Sequence, residues 1–412
     1  MLFALFALQV TRQETIVRTA VVYNSYVTWT VAVLLLAWIV WNVVSYLMRR
    51  NRRRRKPFQS KDVNFKRAIT AKDELSARWM RKGVSKKIHA IGVGKLDSGD
   101  PCVQVFINDA SSQMFNASPN DAIPSSYNGL PLVLVAMPQA SFLSQDGELS
   151  NDDYRELIRG QQNVIMGGIS AANTNLDGEC GTIGYFCRKK SIIPRRDIYI
   201  LSNSHVFADL RKSSVDDSDM IMQPSPGEAA TSRPIGELAN FAHPKLDNDV
   251  DAANYVDAAI AKLWTGQEPH KPILPMIGAV NGFVDKADVE PGEQARKFGR
   301  TTGFTSGKVF SIYLDIWVRY DRTGESSFFK NQFLIEPDKS KYEKFVDKGD
   351  SGSLVVDGEN YASGLIFAGA NGDVEIKQTA DETTAKIVKT VNNFGVANPI
   401  SEVTKRLNIE LL

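Results

Sequence analysis

Cysteine is scarce in this chain: three in 412 residues, at positions 102, 180 and 187. Three thiols cannot build a multi-bridge framework. One Cys180–Cys187 pair stays open, and the low count favours a reducing compartment. No His/Cys cluster with zinc spacing accompanies Cys180 and Cys187, so no metal site and no cofactor are expected. Histidine is also rare, with only His89, His205, His243 and His270, so chemistry that needs an imidazole has few candidates. Charge of one sign is lacking too: 49 Lys and Arg against 47 Asp and Glu give a net of +2. Seven of the positive charges lie in one cluster, Arg49-Arg50-Asn51-Arg52-Arg53-Arg54-Arg55-Lys56, which leaves 2 − 7 = −5 for everything else. A nucleic-acid enzyme would spread its basic surface over the folded part, so nucleic acid is not an expected partner.

Residues 26–48 lack charge altogether. A run of that length suits one bilayer crossing, which takes roughly 20 apolar residues. Trp29, Trp38, Trp41 and Tyr46 supply ring types favoured at headgroup depth. No small-residue cleavage site follows, so a signal peptide fits less well. The basic cluster comes next, and basic residues bordering a span stay on the cytoplasmic side. The expected topology is a single pass through the cell (inner) membrane, with residues 1–25 outside and the remainder cytoplasmic. Residues 26–48 and Arg49–Lys56 would then contact lipid, the cluster holding anionic headgroups.

Beyond the basic linker at 49–60 the reading is a small α+β domain over 61–145. It opens with a helix near Phe65–Lys82, whose Ile69, Leu75 and Trp79 form an imperfect stripe. The strand-like runs 89–94, 102–107 and 130–136 follow. After a connector at 146–164, many short apolar runs separated by glycine-rich turns continue to residue 412, a pattern of barrels. The helix expected over Ser401–Leu412 would close the last of them.

Lys348-Gly349-Asp350-Ser351-Gly352-Ser353 places a serine between glycines just before the apolar Leu354-Val355-Val356. Acyl transfer needs an exposed serine oxygen and backbone N–H groups aimed at a developing oxyanion. Upstream, His205 ends the β-rich run Asp197-Ile-Tyr-Ile-Leu-Ser-Asn-Ser204, and Asp257 leads into the apolar Ala258-Ala-Ile-Ala261. Asp257 is preferred to Asp247, Asp249 and Asp251 because an apolar strand follows it and an orienting carboxylate belongs in a buried place. The spacings are 257 − 205 = 52 and 351 − 257 = 94, in the order His, Asp, Ser. That order is the one used on the double β-barrel rather than in subtilisins or α/β-hydrolases.

The Gly-Asp-Ser-Gly stretch with its His and Asp resembles the trypsin/chymotrypsin-like serine peptidases. Arg296-Lys-Phe-Gly-Arg-Thr-Thr-Gly303 and Gly168-Ile-Ser170 look like the narrow-leaf-type subgroup of trypsin-like proteins. The resemblance implies a mainly β, chymotrypsin-like double barrel with barrel 1 at 165–268 and barrel 2 at 269–412. It implies a membrane-anchored serine endopeptidase with Ser351 as nucleophile, His205 as base, Asp257 as orienting acid, and the N–H groups of Gly349 and Ser351 as oxyanion donors. Phe345 would stand at the base of the primary pocket, with Phe367, Ala368, Gly369 and Gly395 along its walls. No acidic residue stands at 345, so an apolar or small side chain is expected at the cleaved position. Ile165-Met-Gly-Gly168 is similar to the start of activated trypsin-like enzymes; cutting after Val164 would free an Ile165 ammonium to pair with Asp350. Polypeptide substrate, membrane lipid and a regulatory partner or second copy are the partners implied. Two rivals keep the fold: a catalytically inactive, membrane-tethered peptide-binding module, and an HtrA-like quality-control protease.

Overall fold

The structure is a computed structural model. It describes residues 12, 27–41, 44, 63–82, 88–107, 123–143 and 158–412, less 177–178, 192–195, 213, 216–218, 227, 229–231, 265–268, 321–323 and 373–386. The chain divides into two compact units, Met1–Arg53 and Arg54–Leu412. In the first, residues 27–41 are helical and exposed all round. Among the described residues no helix is long and apolar enough to cross a membrane. The remainder of the expected 26–48 span, apart from Val44, the 1–25 segment apart from Arg12, and the basic linker at 49–60 lie outside the described residues.

In the second unit, Gln294–Gly299 pairs with both Leu354–Val356 and Gly303–Arg319, which closes a ring. The circuit runs 294–299, 354–356, 361–370, 394–399, 326–337, 303–319. Closure removes exposed sheet edges and packs inward-facing side chains into one interior. Gly303–Arg319 is 17 residues long, about 55 Å of extended chain, too long for the ring alone. Its register with Ser326–Pro337 slips between Val309 and Ile316, and Tyr313 there takes φ 49°. Such bulges bend a strand and re-aim it. Beyond the bend its far half pairs with Ile88–Lys95, with Ala90 opposite Ile316.

That pairing revises the small domain expected over 61–145. Its helix and strands are present, as Val63–Trp79, Ile88–Lys95, Pro101–Ile107 and Leu130–Ala136. They do not form a sheet of their own; they prolong the sheet of the ring into a wing that ends with Ile387–Thr390. The helix lies on this wing, burying Ala68, Ala71 and Leu75 in the same apolar cluster as Ile91, Val103, Val105 and Leu132. Its stripe looked imperfect because two members are polar. Lys72 is fully buried and its ammonium meets Asp315 at 3.0 Å, while the Ser76 hydroxyl donates to the same carboxylate at 2.6 Å.

A second, seven-stranded sheet runs in the order 409–411, 185–189, 199–202, 259–263, 233–241, 220–223, 172–173. Its first strand corrects the expectation of a helix to the chain end. The helix covers only Ile400–Arg406. Asn408 then takes φ 54°, a left-handed stop that asparagine tolerates. Ile409–Leu411 continues as a strand against Tyr185–Lys189. The tail thus joins the sheet that carries 165–268 instead of sealing the ring.

Candidate active site

Strands Tyr199–Ser202 and Ala259–Leu263 run antiparallel, with Ala259 opposite Ser202. Continuing that register by two residues brings position 257 opposite position 204. Asp257 uses the proximity: its Oδ1 accepts from the N–H of Ser204 at 2.7 Å and of His205 at 3.2 Å. It therefore anchors the short helix Ser204–Phe207 on which the imidazole stands. Asp257 Oδ2 bonds His205 Nδ1. Asn203 Nδ2 donates to the Asp257 carbonyl at 2.7 Å, and the Ser204 hydroxyl donates to the carbonyls of Ala242 and Ala258. The three nearby aspartates point elsewhere. Asp249 caps a short turn by accepting from the Val250 N–H, and Asp247 and Asp251 face Lys82 and Arg81 across the surface.

Ser351 comes from the turn before Leu354–Val356, a strand of the ring. His205 Nε2 lies 2.8 Å from its Oγ. Two glycines make the turn possible. Gly349 and Gly352 have φ 97° and 94°, where a side chain is strained. A Cβ at Gly352 would also strike the Thr182 carbonyl, and one at Gly349 the Arg300 guanidinium. Thr182 belongs to the other half of the molecule and grips the turn from there. Its N–H donates to the Ser351 carbonyl at 2.8 Å and its hydroxyl to the Gly349 carbonyl at 2.9 Å. Asn398 Oδ1 likewise accepts from the Asp257 N–H at 2.9 Å while its Nδ2 donates to Gln332 at 2.6 Å. Such satisfied buried amides fix one half against the other.

Asp350 stiffens the turn from beneath. Its carboxylate, wholly buried, receives Lys297 Nζ at 3.1 Å, the Thr302 hydroxyl at 2.6 Å, and the N–H groups of Thr301, Thr302 and Asp347. Burial pushes this carboxyl upward, but the Lys297 ammonium with those donors outweighs burial and holds it below the ordinary range. In the uncut chain, Asp350, the expected partner of an Ile165 ammonium after cleavage at Val164–Ile165, is thus already paired with Lys297. The Ile165 N–H itself donates to the Pro269 carbonyl at 2.8 Å. Beside the turn, the fully buried Arg300 pairs with Glu228, which also receives the Ser170 hydroxyl.

The remaining expected positions surround Ser351. The Phe367 carbonyl oxygen lies 3.3 Å from Ser351 Oγ, while the Phe367 ring packs on Phe329 with centroids 4.8 Å apart. Phe345 is fully buried, and its ring lies 2.9 Å from the point a Cβ on Gly395 would occupy. Ala368 and Gly369 pair antiparallel with Phe142 and Ser141. Of the two expected oxyanion donors, the Gly349 N–H donates to the Leu143 carbonyl. The Ser351 N–H has no hydrogen-bond acceptor among the described residues. Sequence reasoning missed Leu143, Thr182, Asn398 and the Glu228–Arg300 pair. The one trace of the Lys297 role was the Lys-Phe-Gly-Arg-Thr-Thr-Gly run noted for its resemblance.

A histidine between a buried carboxylate and a serine hydroxyl, beside turned-in N–H groups, can activate the hydroxyl and receive its proton. No family profile matches the chain, and no curated protein matches it. Among solved structures it is similar to Thermobifida fusca Protease A, at 15% identity over 60% of this chain and 98% of that one, with TM-score 0.36. It is similar to Cellulomonas bogoriensis chymotrypsin at 14% identity over 60% and 98%, with TM-score 0.35. It is also similar to Deg5 at 16% identity over 57% and 84%, with TM-score 0.31. At these scores the likeness carries no weight beside the geometry of Ser351, His205 and Asp257.

Proposed function

We propose that this chain is a membrane-tethered, trypsin-like serine endopeptidase of the narrow-leaf type, with an apolar side chain preferred at the cleaved position. The observation that carries the catalytic reading is the 2.8 Å approach of His205 Nε2 to Ser351 Oγ, with Asp257 on the opposite ring nitrogen. In the first step Ser351 Oγ attacks a peptide carbonyl and His205 takes its proton. Asp257 holds the Nδ1–H tautomer and stabilises the imidazolium. The N–H groups of Gly349 and Ser351 receive the developing oxyanion; loss of one such donor typically slows the reaction roughly 100- to 1000-fold. His205 then protonates the leaving amine, and water hydrolyses the acyl-enzyme by the same route in reverse. Preference for an apolar side chain follows from Phe345 and Val346, both fully buried beside Gly369 and Gly395.

The tethering part rests on the uncharged run 26–48 and the cluster Arg49–Lys56. It predicts that the full chain stays with membranes after alkaline carbonate extraction and that residues 57–412 alone do not.

Labelling by a fluorophosphonate tests the chemistry. The full chain should be labelled, and Ser351→Ala should lose both labelling and roughly 10⁶-fold in peptide hydrolysis. A folded protein that never reacts, even when its groove is vacant, is a peptide binder and not a peptidase.

A further inference from the structure

Four independent contacts place one stretch of the chain across the candidate site. Ser141–Phe142 adds a strand to Tyr361–Ala370, antiparallel, with Phe142 opposite Ala368 and Ser141 opposite Gly369. Strand addition at an open edge is how extended peptides bind, the ladder giving affinity and pockets for the side chains giving specificity. The Phe142 ring lies 4.8 Å from the His205 ring between centroids. The Leu143 carbonyl oxygen accepts from the Gly349 N–H. The Leu143 side chain, 2% exposed, belongs to the same apolar cluster as Phe345, Val346 and Ile366, and its Cδ1 lies 3.3 Å from the point a Cβ on Gly369 would occupy. A carbonyl oxygen held by an oxyanion donor belongs to the carbon that the nucleophile attacks. Leucine fills the pocket expected to read the cleaved residue, and Phe142 covers the base as the preceding residue of a substrate would. Burial fits as well, for Ser351 and His205 are 0% and 1% exposed under this strap.

We propose that residues 140–143 are a substrate of this chain's own site, and that Ser351 cuts the chain in cis after Leu143. The inference rests on the peptidase reading above and names that site's first substrate. Ser351 Oγ bonds to the Leu143 carbonyl carbon as its proton passes to His205 Nε2. The bond from that carbon to the following nitrogen breaks, and His205 returns the proton to the departing amine. Water then adds to the Leu143 ester, giving a proton to His205. The ester bond breaks, Ser351 recovers its hydrogen, and Leu143 becomes a carboxylate. The two pieces, 1–143 and 144–412, remain associated through the pairing of Ile88–Lys95 with Gly303–Arg319. The preferred substrate has leucine at the cleaved position with an aromatic residue before it.

Intact mass and amino-terminal sequencing of the purified full chain provide the test, with Ser351→Ala beside the wild type. The expected result is two fragments with a new terminus at residue 144 in the wild type, and a single intact chain in Ser351→Ala. The doubly loosened variant Phe142→Gly/Leu143→Gly, assayed with fluorophosphonate, casein and a synthetic peptide of residues 138–147, separates the two readings. Labelling and casein hydrolysis by this variant, with the added peptide left whole and the wild-type chain uncut after prolonged incubation, overturns self-cleavage: the strap is then a barrier and the peptidase stands. A loosened variant that neither reacts with fluorophosphonate nor cuts casein overturns the peptidase reading, and self-cleavage falls with it.

Discussion

Among the described residues two lysine–aspartate pairs lie fully buried, and they do different work. Lys297 meets Asp350 at 3.1 Å under the Ser351 turn, and Lys72 meets Asp315 at 3.0 Å under the wing helix. Both pairs have side chains with no exposed surface. Desolvating two charges is costly enough that such a pair is weak evidence for added stability, although removing one partner is strongly destabilising. What separates them is the company each carboxylate keeps. Asp350 gathers backbone N–H groups from residues 301, 302 and 347, so its charge organises two turns next to Ser351. Asp315 takes the Ser76 hydroxyl and the Asn331 N–H, and thereby docks a helix on a strand far along from Ser351, His205 and Asp257. Identical chemistry thus orders the turn that carries Ser351 in one place and fixes packing in the other.

Breaking the pairs one at a time sharpens this contrast. Lys297→Met should have the largest effect: a stability loss of about 3–5 kcal/mol, together with a labelling rate at Ser351 reduced roughly 100-fold, the scale of losing one oxyanion donor. Wild-type labelling kinetics in a folded Lys297→Met protein would falsify the preorganising role. Lys72→Met should cost a comparable 3–5 kcal/mol in urea unfolding and leave the labelling rate of the folded fraction unchanged. Should labelling drop as well, the two pairs are not separable. The double change Lys72→Met/Asp315→Met removes both charges and should recover much of that loss. A residual cost of about 1–3 kcal/mol remains from the partners left by Asp315, again read from urea midpoints.

The smallest effect is a pH dependence. The Asp350 carboxyl in the folded protein titrates below its ordinary 3.8, so its stabilisation is complete above that value and is lost as the pH falls through the depressed one. The stability gap between wild type and Asp350→Asn should therefore stay constant from neutral pH down to about pH 5 and narrow below about pH 4. A gap that widens on acidification reverses the assigned sign.

Local chemistry was legible in the sequence, and long-range pairing was not. Ser351, His205 and Asp257 each carry their signal in their neighbours: glycines that permit a turn, a strand ending in small polar residues, an apolar run after a carboxylate. The strands at 89–94, 102–107 and 130–136 were legible from apolar runs, within a residue of where they lie. Their membership in the sheet of the ring was not, because it depends on the reach of Gly303–Arg319 beyond a bulge at residues whose types mark no break. Lys297 and Asp350 are 53 residues apart, and an ion pair across that distance leaves no local trace. Ser141-Phe142-Leu143 is too short to show a period. Its meaning comes only from the edge it joins. The last helix was drawn too long because Asn408 does not announce its left-handed backbone as glycine would.

The terminal strand Ile409–Leu411 has a mechanical consequence. The polypeptide leaves the closed ring at Pro399, turns through Ile400–Arg406 and is woven into the opposite sheet within ten residues. Lys286 clasps Glu402 along the way at 3.0 Å. The two halves are consequently bound along a second spine in addition to the crossing between residues 263 and 294, so neither can swing away like a hinged door. On the peptidase reading proposed above, a protein-sized guest would enter by displacing the short strap between them, and a load applied at Leu412 would be felt first at Tyr185–Lys189, on the side of the molecule that carries His205.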